Sequence, residues 1–394
     1  CGCSACLNIC PKHAIYMKHD EKGYLYPEIR KDSCVNCGLC EKVCPLKDKE
    51  KNKKFEKIAY GVKNKDEHER AKSSSGGVFV EVAKYILNND GVVYGVEMNN
   101  DFQVKHGRAT TIEDARKFQG SKYVQSDKHS IFCMVQKDLK EGKEVLFTGT
   151  PCEVAGLKKY LRKEYDNLYT LDLICHGVPS SELLNAFLKG KEKLYSSQIT
   201  ELKFREKAYG WRNQELYIKF ENGRIYHAPI WVDNFYRLFT NNYILRDSCY
   251  SCKFSSMERQ GDITIGDFWN IKNANETFED KLGVSSVIIN SEKGKKIFET
   301  VKNEFDIIEC SLNDINQKNL NSPSPKPVHY EDFQRLIAEK GFEYCLKKYG
   351  SMKMLEKIRR ALSPVKQRLK AMLSEPSVGI STPSTPTLEN SPST

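Results

Sequence analysis

Four cysteines near the start of the chain have the spacing of an iron–sulfur ligand run. Cys34, Cys37, Cys40 and Cys44 follow one another as C-x2-C-x2-C-x3-C, and Pro45 closes the run. In this pattern three thiolates hold one [4Fe-4S] cube and the fourth binds a neighbouring cube. The spacing therefore predicts one-electron transfer chemistry, and it predicts a second cluster close to the first.

A second run lies upstream and lacks its first member. The same spacing recurs at Cys3, Cys6 and Cys10, so the missing ligand belongs immediately before residue 1. We expect the authentic chain to carry a further Cys there, because Cys1 is out of register, although it could stand in for that ligand. Zinc also binds four thiolates from C-x2-C pairs and is the alternative. Two such runs in tandem favour iron–sulfur clusters.

Four cysteines outside these runs are candidate ligands of a third cluster. Cys152 and Cys175 each end a strand-like segment, and Cys249 and Cys252 form a C-x2-C pair. The carboxyl ends of strands in α/β sheets build ligand sites, and a [4Fe-4S] cube takes four thiolates. The alternative is that Cys152 and Cys175 are small buried hydrophobic residues, as free cysteines often are.

Three loops rich in glycine and hydroxyl groups have the composition of a phosphate or flavin site. Glycine lets a ligand approach the backbone, and free N–H groups at the start of a helix attract anions. Each loop alone is an ordinary turn, but three of them beside a cluster candidate favour a bound cofactor. The candidate cofactor-binding residues are Ser75, Gly76, Gly77, Gly120, Ser121, Lys122, Tyr123, Thr148, Gly149 and Thr150.

Two residues are candidate catalytic groups. His176 directly follows Cys175 and could donate a proton. Asp267 lies in the run Gly-Asp-Phe-Trp, where its carboxylate could bind a substrate hydroxyl while Trp269 stacks on a ring. The alternative for Asp267 is a turn residue that ends a strand. Lys207 is a further proton-donor candidate from its local context.

The composition is that of a soluble globular protein. The chain has 394 residues, of which 39% are hydrophobic and 29% charged, enough for more than one domain. No apolar run reaches the roughly 18 residues that span a bilayer. Fifteen cysteines without secretory features indicate a reducing compartment, so we expect a cytoplasmic protein. The net charge of +10 accompanies no base-reading motif, so nucleic acid is not an expected partner.

The surrounding sequence predicts the elements that position these residues. From Ile58 onward, strand-like and helix-like segments alternate, which favours a mixed α/β core within an α+β chain. Ser180 or Ser181, and also Ser291, are predicted helix N-caps. The predicted strands cover residues 58–62, 92–96, 145–148, 168–174, 202–205, 216–220, 263–265 and 284–289. The predicted helices cover residues 77–87, 129–139, 152–161, 181–193, 232–239 and 293–301.

We predict five regions along the chain. Residues 1–46 form a bacterial-type 2[4Fe-4S] ferredoxin module with a short hairpin, and a charged linker covers residues 47–57. The flavin and iron–sulfur core covers residues 58–320. A helical extension covers residues 321–373, and a disordered Ser/Thr/Pro-rich tail covers residues 374–394.

Together, these motifs resemble the family formed by the beta subunits of coenzyme F-420 hydrogenases and dehydrogenases. The resemblance runs from residue 1 to about residue 300. It implies an iron–sulfur flavoprotein in which ferredoxin-type clusters feed a further cluster next to FAD. The segments that carry it are the N-terminal cysteine run and residues 74–77, 120–123, 149–152, 175–177, 249–252 and 262–267.

The resemblance leaves the electron acceptor open. In hydrogenase-type members the implied acceptor is the deazaflavin, whereas members with Cys-His-Gly-Val-Pro and Gly-Asp-Phe-Trp are associated with polysaccharide biosynthesis. This chain carries both of those runs and its own two-cluster module. We therefore predict an oxidoreductase that takes electrons from ferredoxin or another low-potential donor and passes them through FAD to an organic acceptor. The alternative is a non-enzymatic relay protein within a larger redox complex.

Overall fold

The computed structural model of the chain describes residues 1–47 and 55–352. Most of the predicted linker, the second part of the predicted helical extension and the whole predicted tail lie outside the described residues. None of the helices in the described ranges is both long enough and apolar enough to cross a membrane.

The N-terminal module, residues 1–47, contains two short helices and one hairpin. The hairpin strands pair antiparallel, with Ile15 opposite Ile29, which confirms the predicted hairpin. Each cysteine run passes through a helix, since Cys6 lies in the first helix and Cys40 in the second, and the two helices pack together. The elements are α1 (Ala5–Ile9), β1 (Ile15–His19), β2 (Leu25–Ile29) and α2 (Leu39–Lys42).

The rest of the described chain alternates strands and helices. The strands are β3 (Ile58–Asn64), β4 (Val92–Met98), β5 (Val104–Ala109), β6 (Val145–Gly149), β7 (Leu168–Leu173), β8 (Ile199–Glu206), β9 (Glu215–Phe220), β10 (Ile225–Pro229), β11 (Ile263–Asp267), β12 (Ser285–Ile289) and β13 (Phe305–Cys310). The helices are α3 (Glu67–Lys72), α4 (Val78–Asn88), α5 (Ile112–Arg116), α6 (Ile131–Lys140), α7 (Pro151–Leu161), α8 (Ser181–Tyr195), α9 (Asn234–Thr240), α10 (Ile271–Ala274), α11 (Glu292–Val301), α12 (Tyr330–Lys340) and α13 (Phe342–Gly350).

An eight-stranded mixed sheet organises the core, in the order β13-β3-β12-β11-β7-β6-β4-β5. Strands β11, β7, β6 and β4 run parallel, and antiparallel strands complete the sheet on both sides. Parallel strands have their carboxyl ends at one edge of a sheet, where ligand sites form. The segments that follow β6, β7 and β11 therefore meet at one edge, and they carry Cys152, Cys175 and Trp269.

Apolar side chains bury both faces of this sheet. Leu146 of β6 lies in the core that α4 and α11 cover, whereas its neighbours Val145 and Phe147 lie in the core that α6 and α7 cover. This alternation is the period of two that a strand imposes. The N-terminal module packs on the second face, because α1 contacts both α6 and α7.

A smaller antiparallel sheet, β10-β9-β8, packs with α8, α9, α12 and α13 around a separate apolar core. The described part of the helical extension is two helices that meet at Gly341, whose φ of +79° suits glycine. Phe333 of α12 and Cys345 of α13 are fully buried, so this part of the extension belongs to the folded core.

All the predicted strands and helices are present, with ends that differ by a few residues. The sequence did not predict β5, β10 and β13, nor the short helices α3, α5 and α10. The predicted N-caps are confirmed: the hydroxyl of Ser180 accepts from the N–H of Leu183, and that of Ser291 accepts from the N–H of Gly294. The described chain is thus a mixed α/β fold behind a cysteine-rich N-terminal module.

Candidate redox site

A cavity of about 250 Å³ on the N-terminal module is lined by four cysteines. Cys34, Cys37 and Cys40 come from the second cysteine run, and Cys10 comes from the first. This is the crossed arrangement in which the fourth cysteine of one run completes the cluster of the other. Cys37 is exposed, so this cluster site lies at the molecular surface.

The remaining cysteines of the module lie deeper. Burial, together with the nearby thiols of Cys3 and Cys44, raises the pKa of Cys6 to about 11. Burial also raises the pKa of Cys3, with Cys152 of the core adding to the shift. Cys3, Cys6 and Cys44 are therefore neighbours, as the sequence predicts for the ligands of the first cluster. The position of Cys3 brings that site next to Cys152.

The four core cysteines, here called the core quartet, line one large cavity of about 530 Å³: Cys152, Cys175, Cys249 and Cys252. Burial raises the pKa of Cys175, and the other three thiols raise it further, so the four are electrostatic neighbours. Within residues 1–47 and 55–352, no three His, Cys, Asp or Glu side chains are spaced for a single metal ion. A four-iron cube separates its ligands more widely than one ion does.

The end of β6 and the start of α7 position Cys152. Thr150 caps α7 in a capping box with Glu153, and its Oγ1 lies 3.2 Å from the sulfur of Cys152. Cys152 therefore lies in the first turn of a helix, where free N–H groups stabilise negative charge on sulfur.

A buried ionic network holds this turn in place. Glu153 pairs with Lys128 at 2.8 Å and accepts from the N–H of Thr150 at 2.8 Å. Burial opposes ionisation of Glu153, but Lys128 and His106 outweigh it and hold the pKa of the carboxyl well below its usual range. Sequence reasoning missed these residues, because nothing in their local pattern marks them as buried.

Nine of the ten predicted cofactor-binding residues line the same large cavity, and Gly76 is the exception. Gly76 packs behind the loop, where its N–H donates to Ser285 Oγ at 2.8 Å. A Cβ atom there would lie 2.1 Å from the carbonyl oxygen of Val62, so close packing explains this glycine. Gly77 has a φ of +81° at the start of α4, which suits glycine.

Hydrogen bonds join the loops of the large cavity to each other and to the core. The hydroxyls of Ser74 and Ser121 are 2.7 Å apart and link the first loop to the second. Lys207 Nζ donates to three backbone carbonyls, one of them that of Ser75 at 3.2 Å, and burial lowers the pKa of Lys207 to about 7. Lys207 thus stabilises the loop that contains Ser75 through its backbone carbonyls.

His176 also lines the large cavity. Its Nε2 lies 3.3 Å from the carbonyl oxygen of Phe239, and its Nδ1 lies 3.4 Å from the hydroxyl of Ser324. Burial lowers the pKa of His176, so the neutral ring is favoured near neutral pH. Its role as a catalytic group stays a prediction.

Asp267 lies on the cavity wall with its carboxylate fully engaged. It accepts from both terminal nitrogens of Arg205 at 2.9 Å and from Trp211 Nε1 at 2.9 Å. Trp269 stacks on Trp211 with ring centres 4.8 Å apart. These contacts show that Asp267 positions the guanidinium of Arg205 at the cavity wall. A direct catalytic role for Asp267 stays a prediction.

Comparison with known proteins finds two family matches along the chain. Residues 142–314 match the family described as the C terminus of the coenzyme F420 hydrogenase/dehydrogenase beta subunit, and residues 1–47 match the 4Fe-4S dicluster domain. The second match confirms the predicted iron–sulfur module. The chain is an iron–sulfur electron-transfer protein related to the beta subunits of F420 hydrogenases and dehydrogenases.

The individual relatives either have low sequence identity or match over a short segment. One of the subunits of the F(420)H(2) dehydrogenase of Methanosarcina mazei is 21% identical over 367 residues, covering 87% of this chain and 93% of that protein. The VorC component of the ketoisovalerate oxidoreductase of Methanothermobacter marburgensis is 42% identical over 46 residues, covering 11% of this chain and 58% of that protein. A chain of the F420-reducing [NiFe] hydrogenase complex of Methanosarcina barkeri aligns with a TM-score of 0.46 and 17% identity, covering 74% of this chain and 90% of that one.

Proposed function

We propose that the chain is an iron–sulfur flavoprotein oxidoreductase. Electrons from the N-terminal clusters would pass through a third cluster at the core quartet to FAD and then to an organic acceptor. The observation that supports this most strongly is the large cavity shared by the core quartet and the predicted flavin loops. Clusters transfer single electrons, whereas a flavin collects two electrons and delivers a hydride. A cluster next to a flavin would therefore convert one-electron transfer into hydride transfer.

The residues present fit both groups. Four thiols are a donor set suited to an iron–sulfur cube. The volume of about 530 Å³ lies within the roughly 300–1,000 Å³ of typical cofactor sites. Two buried donors on the cavity wall, Gln214 Nε2 and Arg205 Nε, have no protein acceptor in the described chain. Carbonyl or phosphate oxygens of a flavin could accept from them.

Close packing of the module on α7 supports electron transfer between the module and the core quartet. Gly156 faces Cys3, and a Cβ atom at Gly156 would lie 2.7 Å from the sulfur of Cys3. Any side chain larger than hydrogen would therefore push the module away from the helix that begins beside Cys152. The glycine keeps the first cluster site near the core quartet.

The acceptor itself is proposed only by class. Trp269 is 39% exposed and lines the large cavity, where its stack on Trp211 offers a flat surface to a ring-shaped acceptor. An acceptor in polysaccharide biosynthesis rests on the resemblance alone. Eleven of the fifteen cysteines are proposed metal ligands, a use that favours a reducing and hence cytoplasmic location.

A relay protein within a larger complex is the second candidate. It is favoured by the relative that spans most of the chain, which is named as one of the subunits of a dehydrogenase. A relay would carry clusters without a tightly bound flavin.

Anaerobic purification with iron, sulfide and flavin assays separates the candidates. A brown protein with about one flavin per chain supports the oxidoreductase. A brown protein without flavin supports the relay. A colourless protein that cannot be loaded with iron contradicts both and indicates zinc.

A further inference from the structure

Arg246 is a buried cation whose hydrogen-bonding capacity is only partly used. The residue is 4% exposed and lines the large cavity. Its Nη1 donates to the carbonyl oxygen of Cys1, whereas its Nε and Nη2 have no partner among the described residues. A buried guanidinium is costly unless an anion compensates it. The described chain supplies no such anion, which indicates that a bound group does.

The surroundings of Arg246 place it between the two redox regions. On the side of the N-terminal module, the guanidinium carbon lies 5.7 Å from the ring centre of Tyr24 and 5.4 Å from that of Tyr26. On the side of the core, the carbonyl of Arg246 accepts from the N–H of Cys249 at 2.8 Å.

We propose that Arg246 is a positioning residue for electron transfer, whose charge raises the reduction potential of the cluster at the core quartet. The proposal rests on the third cluster of the proposed function. Four thiolates give such a cluster negative charge, and reduction adds one more. A cation held nearby in a medium of low dielectric constant favours the more negative state.

The transfer involves electrons only. One electron would leave a cluster held by the module, which would become oxidised, and would enter a cluster held by the core quartet, which would become reduced. No bond forms or breaks and no proton moves, because a guanidinium keeps its proton under ordinary conditions. Arg246 therefore changes the energy of the reduced state without taking part in the chemistry.

A purely mechanical role would be a clamp between the module and the core. Arginine packs well on aromatic rings, and Tyr24 and Tyr26 provide such rings. A clamp does not explain why Nε and Nη2 are buried without acceptors on the cavity wall. Sulfur atoms of a bound cluster are suitable acceptors for both.

The test compares Arg246→Gln with Arg246→Lys, purified anaerobically and titrated electrochemically with EPR detection. The reduction step that disappears in Cys249→Ala identifies the third cluster. We expect Arg246→Gln to lower the reduced-to-oxidised ratio of that cluster about tenfold at a fixed potential, equivalent to about 59 mV for one electron. Arg246→Lys keeps the charge and should retain most of the potential. Arg108→Gln, which removes a cation paired with Asp138, is the control and should leave the step unchanged.

Two results overturn the role of Arg246: an unshifted potential in a fully loaded Arg246→Gln protein, or equal shifts in the Gln and Lys variants. If the Gln variant does not hold iron, the Lys variant provides the test. A Lys variant that holds its full iron but has a strongly shifted potential contradicts a role for the charge of Arg246. If Cys249→Ala removes no step, the third cluster is absent and the proposed function fails. A step that is present but unshifted refutes the role of Arg246 alone.

Discussion

The N-terminal module and the core quartet bring cysteines together in opposite ways. In the module, Cys34, Cys37, Cys40 and Cys44 lie within one short segment, so local sequence brings them close. In the core quartet the cysteines are spread from residue 152 to residue 252. The carboxyl edge of the sheet positions Cys152 and Cys175, and the segment after α9 brings Cys249 and Cys252 to the same cavity. A short-range motif is therefore sufficient for one site, whereas the other depends on the complete fold.

The two regions also differ in their access to solvent and in their charged neighbours. Cys37 of the module is exposed, and its cavity opens at the surface where an electron donor could dock. Cys175 of the core quartet is half-buried and lines the large cavity, with Arg246 on the same cavity wall. Under the proposed function, the module would receive electrons and the core quartet would pass them to the flavin.

The largest expected effect is on iron content. Cys249→Ala should remove about four irons per chain, because one missing thiolate breaks the cube, while the clusters of the module remain. Iron and sulfide assays with EPR spectroscopy measure this. Cys345→Ala is the matched control, since that buried thiol lies in the core around α12 and α13 and should leave iron unchanged. If Cys249→Ala and the wild type have the same iron content per chain, the core quartet does not hold a third cluster.

A smaller and more selective effect is expected on flavin. Ser121 lines the large cavity at the junction of two loops, so Ser121→Phe should fill space that the flavin needs. We expect flavin content to fall at least about tenfold, which corresponds to roughly 1.4 kcal/mol of lost binding, while iron stays the same. Thr200→Phe adds the same ring at an exposed strand position and serves as the control. Full flavin in Ser121→Phe would place the cofactor elsewhere.

The smallest effect is expected on the free energy of unfolding, from a change at Asp138, which lies outside both regions. Asp138 of α6 is buried; its burial opposes ionisation, but hydrogen bonds from Arg108, Tyr94 and Lys143 outweigh it and hold its pKa well below the usual range. The ionised carboxyl stabilises the fold above its unfolded pKa of about 3.9, and this contribution is lost as pH falls further.

Asp138→Asn should therefore lower the free energy of unfolding by about 1–3 kcal/mol at pH near 7. The difference from wild type should shrink as the pH falls below about 4. Urea unfolding followed by tryptophan fluorescence over a pH series measures this, with iron and flavin contents unchanged at neutral pH. A difference that does not vary with pH would contradict the ionic origin of the effect.

The sequence predicted the central elements of the fold because their apolar residues are continuous. Strands such as β6 and β12 are buried on both faces and read as apolar runs. The strands that it did not predict, β5, β10 and β13, are all edge strands of their sheets. Edge strands carry charged and polar side chains, which weaken the apolar pattern.

Like the fold, the candidate site could be predicted from the sequence only in part. The cysteines and the glycine-rich loops are visible as motifs, and the structure brings them to one cavity. The partners of Asp267 were not predictable, because Arg205 and Trp211 come from a different sheet and a different loop. Arg246 had one signal, a cation that ends an apolar segment three residues before the first cysteine of the C-x2-C pair.

Anaerobic stopped-flow absorbance can follow reduction of the flavin after the addition of reduced ferredoxin, and so tests whether electrons reach the flavin through the core quartet. The wild type is compared with Cys249→Ala, both loaded with flavin. We expect the flavin to be reduced rapidly in the wild type and at least about tenfold more slowly without an intact core quartet. Equal rates in the two proteins would show that electrons reach the flavin by another route and would contradict the account.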